Sequence, residues 1–212
     1  MSTTREPIDE DELEEIKDRW RRRIRNARQQ RSARSREADA RALAEVVDQI
    51  PQVRRAGCVT AYAARPGEPD TGPLLEALAA RGIRVLLPVL GSGLARDWAE
   101  YAGADDLRER APGRPPEPSG PPLGDEALAE ADVLLIPALA VDTAGTRLGQ
   151  GGGWYDRALR HADQGTPVIA LTYAEEVHDS ATEPLPRAPH DRAVHAVATP
   201  KGVTWFRGPA EG

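Results

Sequence analysis

Three unbroken apolar segments constrain this 212-residue chain most: Ile83–Leu90 (IRVLLPVL), Asp132–Leu139 (DVLLIPAL) and Thr166–Tyr173 (TPVIALTY). A strand with one wet face alternates polar and apolar residues. These segments do not, so both faces must be covered. Segments with helical spacing or helix signals lie between them. That alternation predicts an α/β fold: a three-layer αβα arrangement around a mostly parallel, Rossmann-like sheet, with the N-terminal helices packed on the sheet.

The remaining segments fit the same plan. Gly57–Ala64 reads as a first strand, Pro73–Arg81 as a short helix ended by Gly82, and Arg96–Tyr101 as an antiparallel edge. Residues 111–124 (APGRPPEPSGPPLG) read as a surface loop, Asp125–Ala131 as a short helix, and Trp154–His161 as another. Arg192–Thr199 is expected as a fifth strand, with a further edge at Val203–Arg207. Residues 1–8 are expected to be disordered, 9–207 to form a single domain, and 208–212 to be a tail.

The N-terminal fifty residues are different. From Ile8 to about Arg31 the apolar positions Leu13, Ile16, Trp20, Ile24 and Ala27 recur at helical spacing. Acids fill the first half and arginines the second, which suits the helix dipole. A second helix is expected from Ser32 or Ser35 to before Pro51. Residues 1–50 hold 12 basic and 12 acidic groups, so the arginine run is locally compensated.

Composition excludes several classes. The net charge of −6 provides no basic coat for nucleic acid. A single Cys58 excludes an intramolecular disulfide and a Cys-cluster metal site. The longest apolar run, Val133–Val141, is nine residues with a proline inside, against the roughly 20 of a membrane span. The acidic N-terminus has no apolar signal core. The expectation is a cytoplasmic protein, monomeric or homodimeric, with no nucleic-acid or membrane partner. Of the 28 basic residues only Lys17 and Lys201 are lysines; neither follows a glycine, so the GxxxxGK[ST] phosphate loop is absent.

The stretch Asp142–Arg160 (DTAGTRLGQGGGWYDRALR) carries the chemistry. Its five glycines, in an expected loop over Gly145–Gly153, follow a buried strand and precede a helix. Glycine lets backbone N–H groups turn toward an anion, and a following helix N-terminus adds positive potential. Arg147 can grip phosphate oxygens as a fork. Asp156 reads either as an acid complementing the helix dipole or as a hard oxygen ligand for magnesium. Lys17 and Arg21, spaced i and i+4, share a helix face that could meet a triphosphate or simply be solvated. Glu68, between Gly67 and Pro69, reads as an ordinary loop acid or as a hydrogen-bond acceptor for a ligand. The four histidines form no HExxH pair, and no GxSxG supports covalent catalysis.

These residues resemble the 5-formyltetrahydrofolate cyclo-ligase family over roughly residues 13–204. That family's pattern is a proline, then Asp-x-x-Gly-x-Arg-Leu-Gly-x-Gly-x-Gly-Tyr-Tyr-Asp. Here stand Pro137, then Asp142, Gly145, Arg147, Leu148, Gly149, Gly151, Gly153, Trp154, Tyr155 and Asp156. Lys17-x-x-x-Arg21, Glu68-Pro-Asp-Thr71, and Leu185-Pro186 with Asp191 and Thr199 fall in the same order as its other blocks. The resemblance implies conversion of 5-formyltetrahydrofolate to 5,10-methenyltetrahydrofolate, with ATP as co-substrate and Mg²⁺ as cofactor. It implies ATP contacts at Lys17, Arg21, Arg147, Leu148, Gly149, Gln150, Gly151, Gly152, Gly153, Trp154 and Tyr155. It implies folate contacts at Ala63, Glu68, Gln150, Gly151, Gly152, Gly153 and Trp154, and metal at Asp156 and Asp191. Arg147 is the expected catalytic residue.

Trp154 stands for the usual first Tyr, Gln150 for a frequent Tyr or Arg, and His195 for a frequent Asp. The Trp154 and His195 departures motivate an alternative, a domain that binds nucleotide or folate without turnover. A third reading, an RNA-binding module on the Arg-rich helix, conflicts with the charge balance there.

Overall fold

The computed structural model describes residues 9–90, 96–188 and 191–206. The expectations for residues 1–8 and 208–212, and for the end of the Val203–Arg207 edge, lie outside it.

Two long N-terminal helices form where the periodicity places them: α1 (Glu10–Gln29) and α2 (Ala33–Asp48). Asp9 caps α1 by accepting the Glu12 N–H at 2.7 Å, and Ser32 caps α2 by accepting from Ser35 N at 3.1 Å. Pro51 lies beyond α2 but also opens a short helix, α3 (Pro51–Arg55), because its fixed φ suits a first helical position. Then follow β1 (Cys58–Thr60), α4 (Gly72–Ala80), β2 (Arg84–Val89), β3 (Asp97–Glu100), β4 (Val133–Pro137), β5 (Ala140–Asp142), β6 (Arg147–Leu148) and α5 (Trp154–Ala158). The chain ends with β7 (Val168–Leu171), β8 (Val177–His178), β9 (Ala196–Thr199) and β10 (Gly202–Trp205).

Seven strands form the main sheet in the order β10-β9-β7-β4-β1-β2-β3. The five inner strands are parallel, and β3 and β10 run antiparallel at the edges. In chain order the parallel strands run 2-1-3-4-5. In this doubly wound arrangement the winding reverses between β1 and β4, and ligands bind there, outside the carboxyl ends of the strands.

Central β4 shows why the apolar segments do not alternate. Val133 and Leu135 pack with Leu43 and Val47 of α2 and Leu74 and Leu78 of α4. Leu134 and Ile136 pack on the other face with Leu128, in the 3₁₀ turn Asp125–Glu130, and with Ala158 and Leu159. Each such leucine contributes roughly 1.5–3 kcal/mol by leaving water, so a charge at Leu134 or Leu135 would break the layer.

A smaller sheet, β6-β5-β8, stands apart from the main one. Trp20 and Ile24 of α1 pack against its Ala140 and Leu148 together with Leu139 and Leu185. So α2 covers the main sheet, while α1 covers the small sheet that begins the glycine stretch. Buried Asp142 ties this corner together. Its Oδ1 accepts from Ala144 N and Thr146 N at 3.0 and 2.9 Å, and its Oδ2 accepts from Leu185 N at 3.1 Å. Gly145 has φ +83°, and a Cβ there would sit 2.7 Å from the Val194 carbonyl, so glycine is required.

Three local expectations are corrected. The glycine stretch is not all loop, because Arg147–Leu148 pairs with β5. The helix expected over Trp154–His161 is five α-helical residues followed by a 3₁₀ turn, Leu159–His161. The proline-rich segment is not wholly on the surface, because Glu117 is buried and accepts from Leu90 N at 3.0 Å. Several strands are shorter than expected; the fifth, for instance, starts at Ala196. Among the described residues no helix is long and apolar enough to cross a membrane.

Candidate active site

A cavity of about 350 Å³ lies at the carboxyl ends of β1, β2 and β4, where the winding reverses. Its walls come from α1, the segment after β1, the ends of β2 and β4, the glycine stretch, the start of α5, and Asp191. Every residue expected to bind ATP, folate or metal lines it, from Lys17 and Arg21 through Ala63 and Glu68 to residues 147–156 and Asp191.

Glu68 is a fixed carboxylate. Its Oε2 accepts from Arg65 N at 2.9 Å within its own turn, and its Oε1 accepts from Gln150 Nε2 at 3.0 Å. Its backbone carbonyl accepts from the Tyr173 hydroxyl at 3.3 Å. A carboxylate has about four acceptor positions, and only two are used, so a donor–donor edge can still be met.

Arg147, on β6, has its guanidinium buried against Asp156, with Nη2–Oδ1 at 2.6 Å. Lys17 pairs with Asp191 at 3.0 Å, and Asp191 also accepts from Ala188 N at 2.8 Å. Arg21 donates to the Gly149 carbonyl at 3.2 Å and pairs with Glu14 and Asp18 at 3.1 and 2.7 Å. Gly151, at φ +104°, lets the loop pass Arg21: a Cβ there would lie 3.3 Å from the guanidinium carbon. Lys17, Arg21 and Arg147 are thus each paired with a carboxylate, whereas among the described residues Glu68 is not paired with a cation.

The helix dipole expected after the glycines largely drops out, because five-residue α5 is too short to sum many peptide dipoles. Any anion binding must then rest on the loop amides and the cations. Trp154 stands edge-on to Trp98 and Tyr155, with centroids 5.2 and 4.8 Å away. The indole nitrogen of Trp154, the hydroxyls of Tyr62 and Tyr155 and Nε of Arg147 are buried without a hydrogen-bond partner, and all four residues line the cavity. Buried polar atoms seldom go unpaired, so these are groups a ligand can satisfy. Burial, then the nearby Glu68 charge, pushes the Tyr62 and Tyr155 hydroxyls well above the usual phenol range. Both remain protonated donors.

Among the described residues no three His, Cys, Asp or Glu side chains cluster as a metal site. The pair Asp156 and Asp191 suits only an ion that takes most of its oxygen ligands from water and phosphate, as Mg²⁺ does. His195 Nδ1 accepts from Val168 N at 3.0 Å, His178 pairs with Glu183 at 2.8 Å, and His161 lies 3.5 Å from Asp125. His190 lies outside the described residues. Sequence reasoning passed over Arg25, Arg28 and Tyr62. The two arginines look like solvated members of a charge run, and Tyr62 like ordinary core.

The fold and cavity define an α/β protein with a small-molecule site at its topological switch point. A family model described as the 5-formyltetrahydrofolate cyclo-ligase family matches residues 14–200. The chain is 41% identical over 155 residues to a 5-formyltetrahydrofolate cyclo-ligase of Mycolicibacterium smegmatis, covering 70% of this chain and 77% of that one. It is 35% identical over 155 residues to the enzyme of that name from Escherichia coli, covering 72% and 83%. The solved structure of Aquifex aeolicus 5,10-methenyltetrahydrofolate synthetase matches with a TM-score of 0.76 and 25% identity, over 91% of this chain and 93% of that one. The chain belongs to the 5-formyltetrahydrofolate cyclo-ligase family, a family of ligases acting in folate one-carbon chemistry.

Proposed function

We propose that the chain catalyses ATP- and Mg²⁺-dependent cyclisation of 5-formyltetrahydrofolate to 5,10-methenyltetrahydrofolate, releasing ADP and phosphate. One observation carries this reading. A single cavity holds both a fixed carboxylate for a donor edge, Glu68, and a buried guanidinium beside glycine amides for phosphate, Arg147.

The formyl oxygen attacks the γ-phosphate, forming an O–P bond as the bond to ADP breaks. N10 then attacks the activated carbon, the C–O bond breaks, phosphate leaves and the N10 proton is lost. No protein nucleophile is needed, so catalysis is positioning and charge neutralisation. Glu68 accepts from the pterin's amino and ring N–H groups, and Trp154 supplies a flat apolar wall for the ring. Ala63 is small enough to leave room beside it. Lys17 and Arg21 hold the nucleotide on the α1 side, and the amides of residues 148–155 follow its phosphates. Arg147 stabilises the moving phosphoryl group. Asp156 and Asp191 would hold Mg²⁺, which would neutralise phosphate charge, and their present partners Arg147 and Lys17 lie where the nucleotide's phosphates would be met.

The test is purified protein with 5-formyltetrahydrofolate and Mg-ATP, followed by near-ultraviolet absorbance of the methenyl product. Product that needs ATP is expected. No product despite measurable ATP binding would refute turnover and leave a binding protein.

A further inference from the structure

We infer that Arg25, which hydrogen-bonds the cavity-lining Gln150, is a positioning residue for the folate half of the site, acting on Glu68 through Gln150. It deepens the proposed function and rests on it.

The contacts form a directed chain. Arg25 Nη2 donates to both the backbone carbonyl and the side-chain Oε1 of Gln150, each at 2.9 Å, and Nε also reaches Oε1 at 3.2 Å. Gln150 Nε2 donates to Glu68 Oε1 at 3.0 Å. A guanidinium has donors and no acceptor, whereas a carboxylate only accepts. The amide between them can therefore stand only one way, oxygen to Arg25 and nitrogen to Glu68. Arg25 sets the orientation of Gln150, and Gln150 sets that of Glu68.

The chemistry at the receiving end suits recognition of a donor edge. A neutral amide grips one oxygen of Glu68 without cancelling its charge. A cation in the same place would compete with the ligand's N–H groups for the carboxylate. Without the chain, Glu68 keeps only its own turn contact at Arg65 N and its backbone bond to Tyr173. The carboxylate plane is then free to turn, and each folate encounter must order it again. Arg25 is exposed, so its loss should leave the fold intact.

The experiment measures KM for 5-formyltetrahydrofolate and for ATP, kcat, and Tm, in wild type, Arg25→Ala, Arg25→Lys, Gln150→Ala and the double Arg25→Ala/Gln150→Ala. Arg25→Ala should raise the folate KM about three- to tenfold, the worth of one ordinary hydrogen bond. Its ATP KM and kcat should stay within about twofold, and its Tm within about 2 °C. Arg25→Lys, a single point donor without the fork, should fall between. The double variant should be no worse toward folate than the worse single one, because both residues serve one chain. An unchanged folate KM in Arg25→Ala overturns the inference. So does a parallel rise in both KM values, or additivity in the double variant. Absence of turnover in the wild type would instead strike the proposed function itself.

Discussion

Arg28→Ala should cost this protein more stability than any other single change on α1. Arg28 is 3% exposed, and its Nε and Nη2 reach Glu176 Oε1 and Oε2 at 2.7 and 2.8 Å, with Nη2 also meeting the Ala138 carbonyl at 2.7 Å. Glu176 is equally enclosed: its Oε2 also accepts from the Tyr173 N–H at 3.0 Å and from the Thr172 hydroxyl. Burial opposes the charge on Arg28, but the Glu176 hydrogen bonds and charge outweigh it and hold its pKa above the ordinary arginine value. Removing the arginine leaves a buried carboxylate with neutral donors only. Breaking a buried pair from one side typically costs about 3–5 kcal/mol, which in a chain of this size lowers Tm by about 6–20 °C. Replacing both partners by Met and Leu should cost far less, because no charge is stranded. Urea and thermal denaturation of Arg28→Ala, Glu176→Gln and the apolar double variant decide the matter. A loss below about 1 kcal/mol in Arg28→Ala, or a double variant as unstable as the single, would refute this reasoning. The functional corollary is that the surviving folded Arg28→Ala protein should show a raised ATP KM, since Lys17 and Arg21 stand on the helix that Arg28 anchors.

Three further outcomes follow from single residues. Arg147→Ala should lower kcat about 10²–10³-fold with Tm little changed, because in the proposed mechanism it removes the charge that stabilises the moving phosphoryl group, while its partner Asp156 is partly exposed; near-normal turnover would refute the assignment. Gly145→Ala should destabilise by at least about 2 kcal/mol, since it forces an L side chain to φ +83° against the Val194 carbonyl, as chemical denaturation will show. Burial pushes the Cys58 thiol from its usual 9.0 up to about 11, with Arg84 opposing. The unfolded chain therefore loses this proton first, and the stabilisation is full below pH 9 and declines as pH rises toward 11. Urea midpoints across that range should fall less steeply for Cys58→Ala, and equal slopes would refute the assignment.

The parallel sheet could be read in the sequence because burial on both faces leaves a signature a single strand can carry. IRVLLPVL and DVLLIPAL need no knowledge of their neighbours to announce it. The small sheet could not. β6 and β8 are two residues each, and two residues have no period. Their pairing depends instead on Asp142 and Gly145, which set the turn, and on apolar cover from α1, more than a hundred residues earlier in the chain. The early stop of α5 has a similar cause: Trp154–His161 has helical composition, but tertiary packing of Leu159 and Ala162 tightens its second half into a 3₁₀ turn.

The site divides the same way. The glycine stretch was visible because its conformational demands are local: glycines at 145, 151 and 153 adopt positive φ that other residues rarely tolerate. The face of α1 that meets it was hidden by charge. Lys17, Arg21 and Arg28 occupy three of the four buried positions of that helix, where hydropathy expects apolar side chains. Each is buried because it has a partner elsewhere: Asp191, the Gly149 carbonyl and Glu176, respectively. Those partners lie 174, 128 and 148 residues away, so no window along the chain contains both halves of any pair. A basic residue on a helix is normally solvated, and only the fold reveals which ones are not. The arginine-rich composition made this harder, because exposed Arg19 and Arg22 and buried Arg21 and Arg28 are alike in sequence. What separates them is helical phase: the inward positions repeat the spacing of Trp20 and Ile24, which pack on the small sheet. Phase read from those two apolar residues identifies the cations turned into the protein, Lys17, Arg21 and Arg28, of which the first two line the cavity.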